Sequence, residues 1–339
     1  MPSGRDALAA RLRRQAAWCA RDGSPLYAAL LEKAAADVAV DGPAWDVLSG
    51  FENEPGTAAV SLRFMAAVHR LVLDGTLPDL AHHYPSTGGV GDAHDAWPLF
   101  RQALIDHRDD LRALVNKPCQ TNEVGRSAAL LGGFLEVAHR AGLPLRILEI
   151  GASAGLNLRW DRYRYESADG AWGDSGSPVT FAHHYDVPPP MERPAEVMAR
   201  KGCDVNPIDA TSEDGALSLR SSIWADQLGR LALLDGALEV ARTLPVDVEA
   251  IGAVPFLERE LARPARGAAT VVYHSVVMQY VAEDDRDRID DILGAAGVFR
   301  LSMEPAPDAF EIRLNGELLG TCGPHGTHVR WNVDSTAPT

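Results

Sequence analysis

The run Arg146-Ile147-Leu148-Glu149-Ile150-Gly151-Ala152-Ser153-Ala154-Gly155-Leu156-Asn157 sets a carboxylate, spaced glycines and a serine at the end of an apolar stretch. Two chemistries use such residues. In the first, Gly151 and Gly155 let the backbone bend and a ligand approach. Glu149 closes the strand, and Asn157 opens a helix whose amides face a ligand carboxylate. A second acid at the end of the next strand then takes ribose hydroxyls. Gly202-Cys203-Asp204-Val205-Asn206-Pro207 supplies it as Asp204, followed by an Asn-Pro turn into a helix. Together these make a nucleotide-type pocket.

In the second chemistry, Gly151-x-Ser153-x-Gly155 is a strand-to-helix elbow that exposes a nucleophilic serine. Asp284, Asp285 or Glu304 would be the acid and His325 the base of a serine hydrolase. Three features weigh against it. The upstream half reads as helical, no His-Gly-Gly oxyanion segment precedes the elbow, and Glu149 and Asp204 have no part in a hydrolase.

Further candidates sit at later strand ends. His274 follows the fourth strand, as a base for an acceptor hydroxyl or as a core histidine bonded to a carbonyl. Tyr280 carries the same two readings. Glu304 ends the fifth strand beside Pro305, so its carboxylate is expected to face the crevice or a cation such as Arg126. Asn122, Glu123 and Arg126 read by themselves as a capped helix start with an internal ion pair. His82-His83, His183-His184 and His325-x-x-His328 lack the acid or cysteine that would complete a closed metal site, so no metal is expected.

The elements that must position these groups fall into two parts. Up to about Ala141 the apolar spacing is helical: Leu26, Leu30, Leu31 and Ala34 after a Ser24-Pro25 cap; Leu62, Met65, Val68, Leu71 and Val72; Phe100, Leu104, Leu111 and Leu114; and Thr121 to Arg140, stopping at Gly142. Residues 1–141 are therefore expected to be a helical domain over the carboxyl ends of a sheet. Residues 142–339 then alternate strands and helices, the pattern of a parallel sheet. Strands are expected at Leu145–Ile150, Gly202–Val205, Val246–Ile251, Ala269–His274 and Val298–Met303. Helices are expected near Gly155–Arg162, Asp214–Arg242, Pro255–Leu261 and Asp284–Ala296. Phe310–Leu314 and His328–Val333 read as an edge hairpin, and residues 165–195 as a Pro- and Gly-rich surface insertion.

Composition narrows the partners. Hydrophobic residues make up 46% and charged residues 23%, the values of a globular protein that is not membrane-spanning. The formal net charge of −15 disfavours a nucleic-acid partner, because phosphates are repelled. Arg5, Arg11, Arg13 and Arg14 read as a solvated helix face. The widely separated Cys19, Cys119, Cys203 and Cys322 fit a reducing cytoplasm, and no signal sequence or membrane span is expected. The partner left is a small molecule.

Glu149, Gly151, Gly155 and Asp204 resemble the first two motifs of class I S-adenosylmethionine-dependent methyltransferases, with Ser153 in place of the middle glycine. Ala253 stands where that family places an adenine-contacting acid. His274-Ser275-Val276 with Tyr280 replaces the motif of amino-methylating enzymes, which favours an oxygen acceptor. A closer resemblance spans nearly the whole chain. Gln120-Thr121-Asn122-Glu123-Val124-Gly125-Arg126-Ser127, Glu149 to Asn157 with Asp161-Arg162-Tyr163, Gly202 to Pro207 with Asp209, His274-Ser275, and His325-Gly326 with Trp331 are similar to the bacterial domain-of-unknown-function family 2332.

The resemblance implies a seven-stranded, Rossmann-like methyltransferase sheet with a C-terminal antiparallel hairpin. It also implies an S-adenosylmethionine cofactor on Glu149, Gly151, Ser153, Gly155, Asn157 and Asp204. His274, Tyr280 and Glu304 then stand near the acceptor, with Gln120, Asn122, Glu123, Arg126 and His325 lining the site. A ligand-binding protein without catalysis on the same fold is the alternative, favoured by Ala253.

Overall fold

The computed structural model describes residues 4–118, 120–263 and 265–332, and the chain divides into two units. One holds Met1–Thr121 with Glu213–Leu231, the other Asn122–Ser212 with Ala232–Thr339. This differs from the expected boundary after Ala141. The sequence pattern registers that a segment is helical, whereas burial decides which core it joins.

The first unit is built from α1 (Gly4–Arg21), α2 (Pro25–Ala39), α3 (Pro43–Leu48), α4 (Val60–Leu73), α5 (Pro78–Ala81), α6 (Ala93–Asp106) and α7 (Arg108–Val115). Before residue 122 the described residues contain no strand. The helices bury faces at helical spacing, such as Leu8, Leu12, Ala16 and Cys19 on α1. The window Gly56–Leu73 is long and apolar enough to cross a membrane, but 56% of it is buried, with Val60, Phe64, Val68 and Val72 in the unit's core.

The start of α2 corrects the expected Ser24 cap. Ser24 makes no capping bond to the helix, and its hydroxyl donates to Asp226 instead. Asp226 Oδ2 also accepts from the Leu26 amide at 3.0 Å. Asp226 belongs to the returning segment Glu213–Leu231, which also contributes Trp224 and Ala225 to this core. The helix end is therefore satisfied by a distant carboxylate.

The second unit opens with α8 (Arg126–Ala141), which starts later than the expected Thr121 and ends at Gly142, left-handed at φ +62°. Its residues from Ser127 to Ala138 are buried, as for a helix inside a core. Phe134 stacks on Trp160 at 4.4 Å and meets the edge of Tyr273 at 5.1 Å. The strands follow as β1 (Leu145–Ile150), β2 (Arg164–Ser167), β3 (Gly170–Trp172), β4 (Thr180–Phe181), β5 (Tyr185–Val187) and β6 (Val197–Asp204). After α9 (Glu213–Ser221) and α10 (Leu228–Thr243) come β7 (Asp247–Ala250), α11 (Ala253–Leu261), β8 (Ala269–Ser275), α12 (Glu283–Ala296), β9 (Phe299–Pro305), β10 (Phe310–Leu314), β11 (Glu317–Cys322) and β12 (Val329–Trp331). The single helix expected over Asp214–Arg242 is thus two, parted at residues 222–227.

The main sheet has nine strands, ordered β5-β12-β11-β10-β9-β8-β1-β6-β7, and not the expected seven. The five strands β7-β6-β1-β8-β9 are parallel, and β9 to β12 are antiparallel neighbours. The two additional strands are β11 and β5. Glu317–Cys322 was expected to be a turn-rich connection but forms β11, joined to β10 through Asn315 (φ +50°) and Gly316 (φ +86°). That Asn-Gly pair is the usual signal of a two-residue hairpin turn. The expected partner of Phe310–Leu314, near residues 328–333, pairs instead with β11; its last residue Val333, like Cys119, lies outside the described residues.

The expected surface insertion also contributes strands: β2, β3 and β4 form a small sheet, and β5 extends the main one. Tyr165 and Phe181 within it are fully buried, because their rings complete an aromatic cluster with Trp172. The order β7-β6-β1-β8-β9 reverses direction between β1 and β8. Glu149, Asp204 and His274 stand near the carboxyl ends of β1, β6 and β8.

Candidate functional site

The turn after β1 is left-handed at Gly151 (φ +67°), Ser153 (φ +52°) and Gly155 (φ +66°). Alternating handedness makes successive amides converge on a concave face, a ready anion site. Here the protein fills that face itself. The Ala154 and Leu156 amides donate to Asn122 Oδ1 at 3.2 and 2.8 Å. The Ser153 amide donates to Asp204 Oδ2 at 2.9 Å. Ala152 donates to the Cys203 carbonyl and Gly155 to that of Ala152. Every amide from 152 to 156 thus has an acceptor within the chain.

The two glycines serve packing as well as the bend. A Cβ on Gly151 would lie 2.6 Å from Val277 Cγ2, and one on Gly155 2.8 Å from Val246 and Val248 methyls. The α-helix expected over Gly155–Arg162 is instead a 3₁₀ segment, Asn157–Arg162, with non-helical backbone at Arg159 (φ −108°). The carbonyls just before it accept from side chains: Arg159 Nη1 donates to Gly155 O at 2.8 Å, and Tyr163 Oη to Leu156 O at 2.6 Å. Asn157 does not open a ligand-facing helix. Its Oδ1 accepts from Ser127 Oγ at 2.7 Å, and its Nδ2 donates to the Glu123 carbonyl at 3.2 Å.

Glu149 is buried at the end of β1, opposite Tyr273 in register with β8. Tyr273 Oη donates to Glu149 Oε2 at 2.9 Å. Burial pushes the Glu149 carboxyl up to about 8, because desolvation outweighs the phenol's hydrogen bond; Asp204 pushes the same way and Arg126 and Arg159 oppose it. At neutral pH Glu149 is therefore mainly a neutral acid. Asp204 closes β6 with one backbone donor on each oxygen, Ser153 N on Oδ2 and Asn206 N on Oδ1, both at 2.9 Å. The Asn-Pro turn does not lead directly into a helix: Ile208 N first returns to the Ser153 carbonyl at 3.2 Å, and α9 starts only at Glu213.

Successive side chains of a strand point to opposite faces, so His274 points away from Tyr273 and Glu149. His274 Nδ1 lies 2.6 Å from Glu304 Oε1, which also accepts from the Val277 and Met278 amides at 3.1 and 3.4 Å. His274 is 1% exposed, and its Nε2 is buried with no hydrogen-bond partner among the described residues. Glu304 was expected to face the crevice or a cation such as Arg126; it pairs with His274, while Arg126 Nη1 donates to the Ser275 carbonyl at 3.0 Å. Val276, between these groups, is left-handed at φ +57°, an uncommon state for a β-branched residue. Tyr280 lies in the 3₁₀ turn Met278–Tyr280 and is 63% exposed. Ala253 packs on the apolar cluster of Leu148, Phe256 and Ile289.

A second carboxylate–imidazole pair comes from two loops. Glu123 Oε2 lies 2.9 Å from His325 Nδ1, the carboxylate buried and the imidazole partly exposed. The loops touch backbone to backbone: a Cβ on Gly125 would lie 2.2 Å from the His325 carbonyl, and one on Gly326 2.1 Å from that of Gly125. Only glycine permits this approach. Gln120 falls at the boundary of the first unit.

Ser153 Oγ has no hydrogen-bond partner among the described residues, so it does not bond to His325, the base expected for the elbow. Tyr273, Arg159 and Val277 were missed by the sequence reading. Tyr273 alone had a signal, as a polar ring in an apolar strand, but its partner depends on register. Among the described residues no three His, Cys, Asp or Glu side chains gather as a metal site.

The family described as "Uncharacterized protein conserved in bacteria" (DUF2332) matches residues 9–331. No curated protein and no solved structure matches the chain.

Proposed function

This chain belongs to the family of uncharacterized proteins conserved in bacteria (DUF2332), and we propose that it is an S-adenosylmethionine-dependent methyltransferase of the class I type acting on a small-molecule oxygen. One observation carries this reading. Glu149 and Asp204 close adjacent parallel strands beside the reversal between β1 and β8, where doubly wound sheets bind their ligands.

The acids fit the cofactor better than the amides do. Asp204, fixed at the end of β6 by the Ser153 and Asn206 amides, is the type of group that takes ribose hydroxyls at this position of such sheets. Glu149 offers a neutral hydrogen-bonding group. The amides of the glycine turn are already taken, so recognition falls to side chains. When bound, the cofactor supplies a methyl group on a sulfonium, and alignment with the acceptor accounts for much of such a reaction. Glu304 fixes His274 through Nδ1, which leaves Nε2 to accept a proton from the acceptor hydroxyl. On this reading Tyr280, exposed in the turn after β8, contributes an acceptor contact. Asn122, Glu123, Arg126 and His325 hold the turn and its neighbouring loops. The buried free thiols of Cys19, Cys203 and Cys322 support a reducing cytoplasm as its location.

The engaged amides and Ala253 favour a second reading, ligand binding without catalysis. Calorimetric titration of the full chain with S-adenosylmethionine and S-adenosylhomocysteine separates the two, with Asp204→Asn as control. Binding that weakens about tenfold in the variant is expected, the size of one or two hydrogen bonds. No heat at millimolar ligand ends the methyltransferase reading and leaves the second.

A further inference from the structure

Ser153 combines two unfavourable features that glycine would remove. Its backbone is left-handed at φ +52°, a region that Gly151 and Gly155 on either side occupy without a Cβ. Its hydroxyl is buried, in a residue only 7% exposed, and has no hydrogen-bond partner among the described residues. Buried hydroxyls are normally paired, and those left alone call for an explanation. The residue is also held rigidly, its amide on Asp204 and its carbonyl on the Ile208 amide.

The surroundings narrow the explanation. The amides of residues 152–156 all have acceptors in the chain, and the other side chains from Gly151 to Leu156 are apolar or absent. The serine hydroxyl is therefore the polar side-chain group by which this turn can address a ligand. It stands beside Asp204, at the carboxyl edge of the sheet.

We infer that the Ser153 hydroxyl is a ligand-recognising group, donating a hydrogen bond to an oxygen of a polar small molecule seated against the glycine turn. Strain and desolvation in the free protein are offset when that bond forms. The inference rests on the proposed binding of an adenosyl ligand at this edge and adds the side chain that reads it. It also gives the serine a role in binding in place of nucleophilic attack.

The test uses the full chain with Ser153→Gly and Ser153→Ala, S-adenosylhomocysteine as probe, and two readouts: melting temperature without ligand and calorimetric affinity. Ser153→Gly relieves both strain and the unpaired hydroxyl, so it should melt higher than the parent by ~2 °C. Ser153→Ala keeps the strained backbone and removes only the hydroxyl. Both variants should bind the probe about tenfold more weakly. A glycine variant that melts no higher than the parent overturns the inference, because the hydroxyl then has a role in the free protein. Equal affinity in all three proteins overturns it too and leaves the proposed function standing. No binding to the parent overturns both together.

Discussion

A carboxyl sealed beneath a phenol titrates where carboxyls ordinarily do not. Desolvation moves Glu149 from an ordinary 4.5 to about 8, so the folded protein holds a proton that the unfolded chain releases. A raised folded value makes the contribution to stability full below about pH 4.5 and lost as pH rises through 8. Urea unfolding at pH 5.5 and pH 8.5 should therefore show the parent weaker at the higher pH, by about 3 kcal/mol from this group. Glu149→Gln keeps a neutral acceptor for Tyr273 Oη, so it should flatten this dependence and alter stability little at pH 5.5. An equally steep profile in the variant would assign the effect to other groups.

At the scale of elements, α2 and the glycine turn end on groups far away in sequence. Asp226 accepts from Ser24 Oγ and the Leu26 amide, and so does for α2 what a local cap does elsewhere. Asp226→Ala should cost about 1–2 kcal/mol in urea unfolding, the range of lost caps. Ser24→Ala should cost less, since the Leu26 amide keeps its acceptor. The glycine turn follows the same logic, with Asn122 receiving two of its amides from a loop ahead of α8. That turn is therefore tied to the loop 122–125 through Asn122.

At the scale of the whole molecule, the first unit is discontinuous in sequence. Residues 213–231 return to it with Trp224 and Ala225 for its core and Asp226 for its second helix. A fragment of residues 1–121 lacks these, so it should show less helix by circular dichroism and a broader thermal transition than the same fragment with a peptide of residues 213–231 added. A fragment that melts as sharply alone as with the peptide would show the segment to be dispensable. A cut after residue 141 should be worse still, because it exposes α8, whose residues are buried in the other unit.

The sequence by itself determined the alternation of strands and helices after Pro144, the helical character before it, the limits of β1 and β10, and the placing of Glu149 and Asp204 at strand ends. These are local properties: periodicity, glycine at helix ends and apolar runs of strand length all act within a few residues. Only the tertiary structure decided that Tyr273 meets Glu149, that His274 turns to Glu304, and that Asn122 and Asp204 fill the amides of the turn. Each of these depends on register, face or a contact between distant segments. The period of a strand says which residues alternate, while packing of the whole chain says what each face meets.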